Sequence, residues 1–77
     1  MKPISVVWVD AVTKDEWTDL DEAKELRGHV ITTMGYLIYE DKEIIIVSAS
    51  YDPESGQVCQ TFVIPKGWIK SKRRINP

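Results

Sequence analysis

The chain has 77 residues, 43% apolar and 29% charged, with four Gly, four Pro and a formal net charge of −2. This is the composition of an ordinary globular protein and excludes a disordered or collagenous chain. One Cys cannot form an internal disulfide, and one His beside it is too little for a structural zinc site. At this length only ~60% of the unfolded surface leaves water on folding, so a single small domain over residues 1–77 is expected, with little stability to spare.

Taken in chain order, Ile4-Ser5-Val6-Val7-Trp8-Val9 is rich in β-branched and aromatic residues and too short for a globular helix. It reads as a first strand with Ile4, Val6 and Trp8 on one face, ended by Asp10. In the segment from Thr18 to Gly28, Asp19 stands three residues before Glu22, acids fill the first turn, Arg27 falls in the last and Gly28 follows. That pattern predicts a capped helix of about two turns. Its narrow stripe of Leu20, Ala23 and Leu26 should lie against a sheet, with Trp17 pinning the helix there or else standing exposed as an interface anchor.

Val30 to Tyr39 has high β propensity, and Gly35 in its middle predicts a bend or bulge in a long strand. Glu40-Asp41-Lys42 is a polar turn into a strand from Glu43 to Tyr51. Asp52-Pro53-Glu54-Ser55-Gly56 is a strong turn into another from Gln57 to Ile64, with Val58, Phe62 and Ile64 on one face and Cys59 and Thr61 on the other. Pro65 ends that strand, Lys66-Gly67-Trp68 makes one tight turn, and Ile69 to Ile75 forms the last strand, its Lys70, Lys72 and Arg74 directed outward. The expectation is a mainly β fold: a small five-stranded antiparallel barrel with one short α-helix after the first strand.

Charge is distributed unevenly. Residues 1–43 carry ten acids against five bases, whereas residues 65–77 carry five bases and no acid. Lys66, Lys70, Lys72, Arg73 and Arg74, with Trp68 among them, combine positive charge with a stacking platform, as single-stranded nucleic-acid sites do. The plain alternative is a solvated edge whose charges block aggregation.

Other candidates have simpler readings. His29 follows the helix-ending Gly28 and reads as a polar residue at a strand start, since no nearby motif supplies a catalytic partner. Cys59 reads as a small packing residue. The acids from Asp15 to Glu25 match no calcium-loop spacing and read as a solvated helix face. No phosphate loop, nucleophile elbow or metalloprotease motif occurs, so no enzyme, cofactor, metal or small-molecule substrate is expected. The apolar runs Val6–Val9 and Ile44–Val47 fall far short of the roughly 18 residues of a membrane span. Met1-Lys2-Pro3-Ile4 lacks a signal-peptide pattern, and a cytoplasmic location is expected.

Val63-Ile64-Pro65-Lys66-Gly67-Trp68-Ile69 resembles the end of a Src-homology-three domain, where an Ile-Pro pair, a 3₁₀ turn and an aromatic residue lead into the last strand. The resemblance implies a Src-homology-three-like or Sm-like barrel, with Pro65 and Trp68 where that family builds its peptide groove. The chain lacks the family's Ala-Leu-Tyr-Asp-Tyr motif and adjacent Trp pair, so the barrel geometry carries over and proline-rich recognition does not. Trp8-Val9-Asp10-Ala11, Gly35-Tyr36-Leu37 and the Ile64-Pro65 to Ile69 segment together resemble small uncharacterised proteins of bacteriophages and prophages. That likeness implies a phage or prophage setting, and so a host cytoplasm, but no mechanism. The function expected is a protein-binding or assembly module acting on a partner or on itself as a homodimer, with Trp17, Tyr36, Tyr39 and Trp68 as anchors. The alternative is single-stranded nucleic-acid binding through the basic C-terminal strand.

Overall fold

Strand β1 (Lys2–Asp10) forms where its β-branched run predicts, and Ile4, Val6 and Trp8 are the buried face. A computed structural model of the chain describes residues 1–11 and 15–75. Strand β2 (His29–Glu40) runs antiparallel to β1 from Asp10↔His29 to Lys2↔Leu37, and its far half passes on to β3 (Ile44–Asp52). Gly35 permits that handover: a Cβ there would lie 2.4 Å from the Ser48 carbonyl oxygen, so a side chain would push β3 away. β3 and β4 (Gln57–Pro65) form a hairpin paired from Ile44↔Pro65 to Asp52↔Gln57. A 3₁₀ turn, Lys66–Trp68, leads into β5 (Ile69–Arg74), which returns antiparallel to β1.

The strand order is β4-β3-β2-β1-β5. The five antiparallel strands of the expected fold are present; the ladder of a closed barrel is not. β4 and β5 stand at opposite ends of the order and do not pair. The sheet nevertheless coils, because Ile4, Val6 and Trp8 of β1 share one cluster with Ile45 and Val47 of β3 and Ile64 of β4, with Ile31, Leu37 and Ile69 packed against it. Within it the Trp8 indole N–H donates to the Thr33 hydroxyl at 3.0 Å, which satisfies a buried donor.

Two irregularities decide which polar groups face this core. The β2–β3 register shifts between Leu37 and Tyr39, after which Glu40 lies opposite Ile45 and shares its inward face. The β1–β5 register shifts at Val7 and Trp8, so that Ile69 lies opposite Trp8 while Lys72 and Arg74 lie opposite Val6 and Ile4. Strict alternation placed Lys72 and Arg74 outward; the bulge at Lys70 reverses that parity.

Beyond the pair Tyr36↔Ser48, β3 and β4 leave β2 behind and continue as a two-stranded arm. Its turn forms as expected: Gly56 takes φ +74, the Gly56 amide donates to the Asp52 carbonyl at 2.8 Å, and the Asp52 carboxylate accepts from Glu54 N and Ser55 Oγ. Every residue from Ala49 to Val63 is exposed. The molecule measures 52 × 24 × 23 Å with a radius of gyration of 15.8 Å, against ~11.5 Å for a compact chain of this length.

The helix differs most from its sequence reading. α1 is one turn, Leu20–Ala23, with no buried residue, in place of two turns against the sheet. Trp17 does not pin it: Trp17 is fully exposed and Leu20 nearly so. Asp19 occupies the N-cap without a side-chain cap bond; Thr18 Oγ1 donates instead to Glu22 Oε2 at 3.0 Å, and Arg27 donates to the Lys24 and Leu26 carbonyls. With Leu20 and Leu26 both exposed, the three apolar side chains bury too little area to hold a second turn down. Among the described residues, no helix is long and apolar enough to cross a membrane.

Candidate functional site

The chemistry-bearing residues singled out from the sequence do not converge. His29 opens β2 opposite Asp10 and is exposed. Cys59 is exposed on the arm and is not the packing residue its alternation with apolar neighbours implied. The residues it alternates with, Val58 and Phe62, are themselves outside the core: Val58 lies opposite Tyr51 on the arm, past the last β2–β3 pair, and Phe62, opposite Val47, is exposed. Among the described residues, no group of three or more His, Cys, Asp or Glu is placed to hold a metal ion.

The five basic residues divide. Glu40, turned inward by the β2 irregularity, accepts from Lys66 Nζ at 2.8 Å and also from Lys72. One carboxylate thereby ties the end of β2 to the 3₁₀ turn and to β5. Hydrogen bonds from Lys66 and then Lys72 hold the Glu40 carboxyl at about 2, well below its ordinary 4.5. Lys66 and Lys72 are thus engaged within the fold, leaving Lys70, Arg73 and Arg74 as the outlying part of the cationic strand. Lys70 borders a hollow of about 450 Å³ that Val9, Asp10, Trp68 and Ile69 also line.

The four aromatic candidates are all exposed, Trp17 at 104%, Tyr39 at 50%, Trp68 at 44% and Tyr36 at 36%, but they occupy different places. Trp17 precedes α1. Trp68 closes the 3₁₀ turn. Tyr39 lies at the β2 end, where its hydroxyl donates to Asp41 Oδ2 at 3.1 Å, a bond that raises its pKa. Backbone amides of Ile44 and Glu43 in turn hold the Asp41 carboxyl below the usual range. Tyr36 stands at the root of the arm and packs edge-on against Tyr51, ring centroids 6.3 Å apart.

What the sequence reading missed is a strand edge. β4 reads Gln57-Val58-Cys59-Gln60-Thr61-Phe62-Val63-Ile64-Pro65, without a charge, and among the described residues no strand covers its outer side. Only Ile64 is buried; Val58, Phe62 and Val63 are exposed. Gln60 takes φ +57, a left-handed conformation unusual for a side-chain-bearing residue. The fully buried Ser48 hydroxyl donates to the Cys59 carbonyl at 2.6 Å beside it and lies 3.3 Å from Thr61 Oγ1. The regular edge therefore begins at Thr61. The uncharged run was legible in the sequence; that nothing would cover it depended on the strand order.

Compared with protein-family models, curated proteins and solved structures, the chain has no match.

Proposed function

We propose that the chain is a non-enzymatic assembly module that works by associating with further copies of itself through its exposed β surface. The observation that carries this reading is area. The chain exposes 6152 Å², whereas a compact monomer of 8.8 kDa exposes ~4,800 Å². The excess, ~1,400 Å², is larger than the ~800 Å² that one partner contributes to a standard interface. Among the described residues six buried apolar side chains form the core, while Trp17, Tyr36, Tyr39, Trp68 and the arm remain outside, the kind of aromatic surface that anchors protein contacts.

The strand order, with a 3₁₀ turn between β4 and β5, supports reading the coiled sheet as an opened Src-homology-three-like barrel. The phage-type pattern gives the setting proposed for it, a host cytoplasm. Sedimentation velocity from micromolar to millimolar concentration tests the reading. A mass that rises with concentration is expected; a monomer throughout refutes it.

A second reading rests on Trp68 and Lys70 flanking one hollow: single-stranded nucleic-acid binding through β5. It requires an oligonucleotide affinity that falls steeply with salt and is lost on charge reversal at Arg73 and Arg74. No binding at low salt removes it.

A further inference from the structure

Among the described residues the sheet has two free edges, and their charges select between ways of joining copies. We infer that the Thr61–Ile64 edge of β4 is a homodimerisation strand, pairing antiparallel with the same edge of a second copy about a two-fold axis. This rests on the self-association reading and names its surface.

A two-fold contact sets residue i of a strand against residue j of its copy, so a strand whose charges are all of one sign repels itself in any register. β5 carries Lys70, Lys72, Arg73 and Arg74 within six residues and repels its own copy. A β4-to-β5 contact would strip water from those cations, and β4 offers no acid to receive them. β4 against β4 desolvates no charge at all. Phe62 and Val63, 42% and 60% exposed, alternate along the strand, so pairing would cover apolar surface on both faces of the sheet. The main-chain donors and acceptors of an unpaired edge gain partners as well. The left-handed Gln60 ends the pairing segment, because the Cys59 carbonyl beyond it is already taken by Ser48.

Val63 is the residue to change, since its exposure lets the monomer tolerate a charge. In sedimentation velocity the wild-type chain is expected to be a dimer. Val63→Lys and Val63→Glu, each with an unchanged circular dichroism spectrum, should raise the dissociation constant about tenfold or more. An equimolar mixture of the two should recover the dimer. If the wild-type chain is monomeric at millimolar concentration, self-association itself fails. If a dimer forms and neither charge weakens it, self-association stands and the β4 assignment falls. If Val63→Glu tightens association while Val63→Lys weakens it, β4 meets the cationic β5 of another copy and the two-fold pairing is wrong. A measurement on the unaltered chain guards against misfolded variants: between labelled and unlabelled copies, nuclear Overhauser contacts should involve Thr61 to Ile64, and contacts confined to other elements would overturn the inference.

Discussion

β5 crowds four cations into six residues at one edge of the sheet, whereas β4 runs nine residues without a charge at the other. Both leave a row of main-chain groups unpaired, and such rows are templates for another chain. β5 is short, bulged at Lys70 and cationic, three devices that discourage pairing. β4 has the left-handed Gln60, which interrupts one point and leaves Thr61–Ile64 regular. One edge of the sheet is thus blunted three ways and the other scarcely at all. Each edge strand supplies a single apolar residue to the core cluster, Ile64 from β4 and Ile69 from β5.

The sharpest contrast lies within β4. Ile64 is fully buried and its neighbour Val63 is 60% exposed. Ile64→Ala should destabilise the monomer by about 2–5 kcal/mol, read as a lowered urea midpoint, because it opens a cavity in a core of few residues. Val63→Lys should leave that midpoint nearly unchanged at concentrations where the chain is monomeric.

The next prediction attacks the other edge. Replacing Lys70 and Arg73 together by Ser should make β5 more nearly neutral and let it join the association. Light scattering at low salt should then show species larger than the wild-type form; an unchanged mass would mean that charge is not what keeps β5 free.

A smaller effect concerns the carboxylate that ties β5 to the rest. Glu40 titrates at about 2 in the folded chain and at an ordinary 4.5 when free of its lysines. Its contribution to stability is therefore complete above about 4.5 and is lost as pH falls from there toward 2. Thermal melts of Glu40→Gln should lie below wild type at neutral pH and converge with it in that acid window. A constant gap down to pH 2 would exclude the ion pairs as the cause.

The smallest effect is expected at Trp17. Fully exposed and touching no core residue, Trp17→Ala should change monomer stability by no more than about 0.5 kcal/mol. A larger loss would show that the residue packs against the sheet after all.

Much of this architecture was written into local pattern. The inward set Ile4, Val6 and Trp8, the turns at Asp41 and Gly56 and the 3₁₀ turn after Pro65 each follow from residues within a few positions of one another, whereas the irregularity expected at Gly35 falls between Leu37 and Tyr39. The failures came where a distant partner decides the outcome. The helix needed a sheet face beneath it, and Leu20, Ala23 and Leu26 did not secure one. Lys72 and Arg74 changed faces because of one bulged residue, which period-two alternation cannot reveal. Cys59 looked like a packing position until the end of the β2–β3 pairing at Tyr36↔Ser48 left it on the uncovered arm. For the same reason the candidate surface was only half legible: the exposed aromatics and the basic strand stood out, while the neutral edge of β4 became visible only once its neighbours were known.

Amide hydrogen exchange at low and at high protein concentration tests the central claim most directly, that β4 is the edge that meets a second copy. The outward amides of Thr61 to Ile64 should become more protected as concentration rises, while those of β5 exchange at the same rate throughout. Protection that appears on β5 instead, or exchange on β4 that does not depend on concentration, would contradict it.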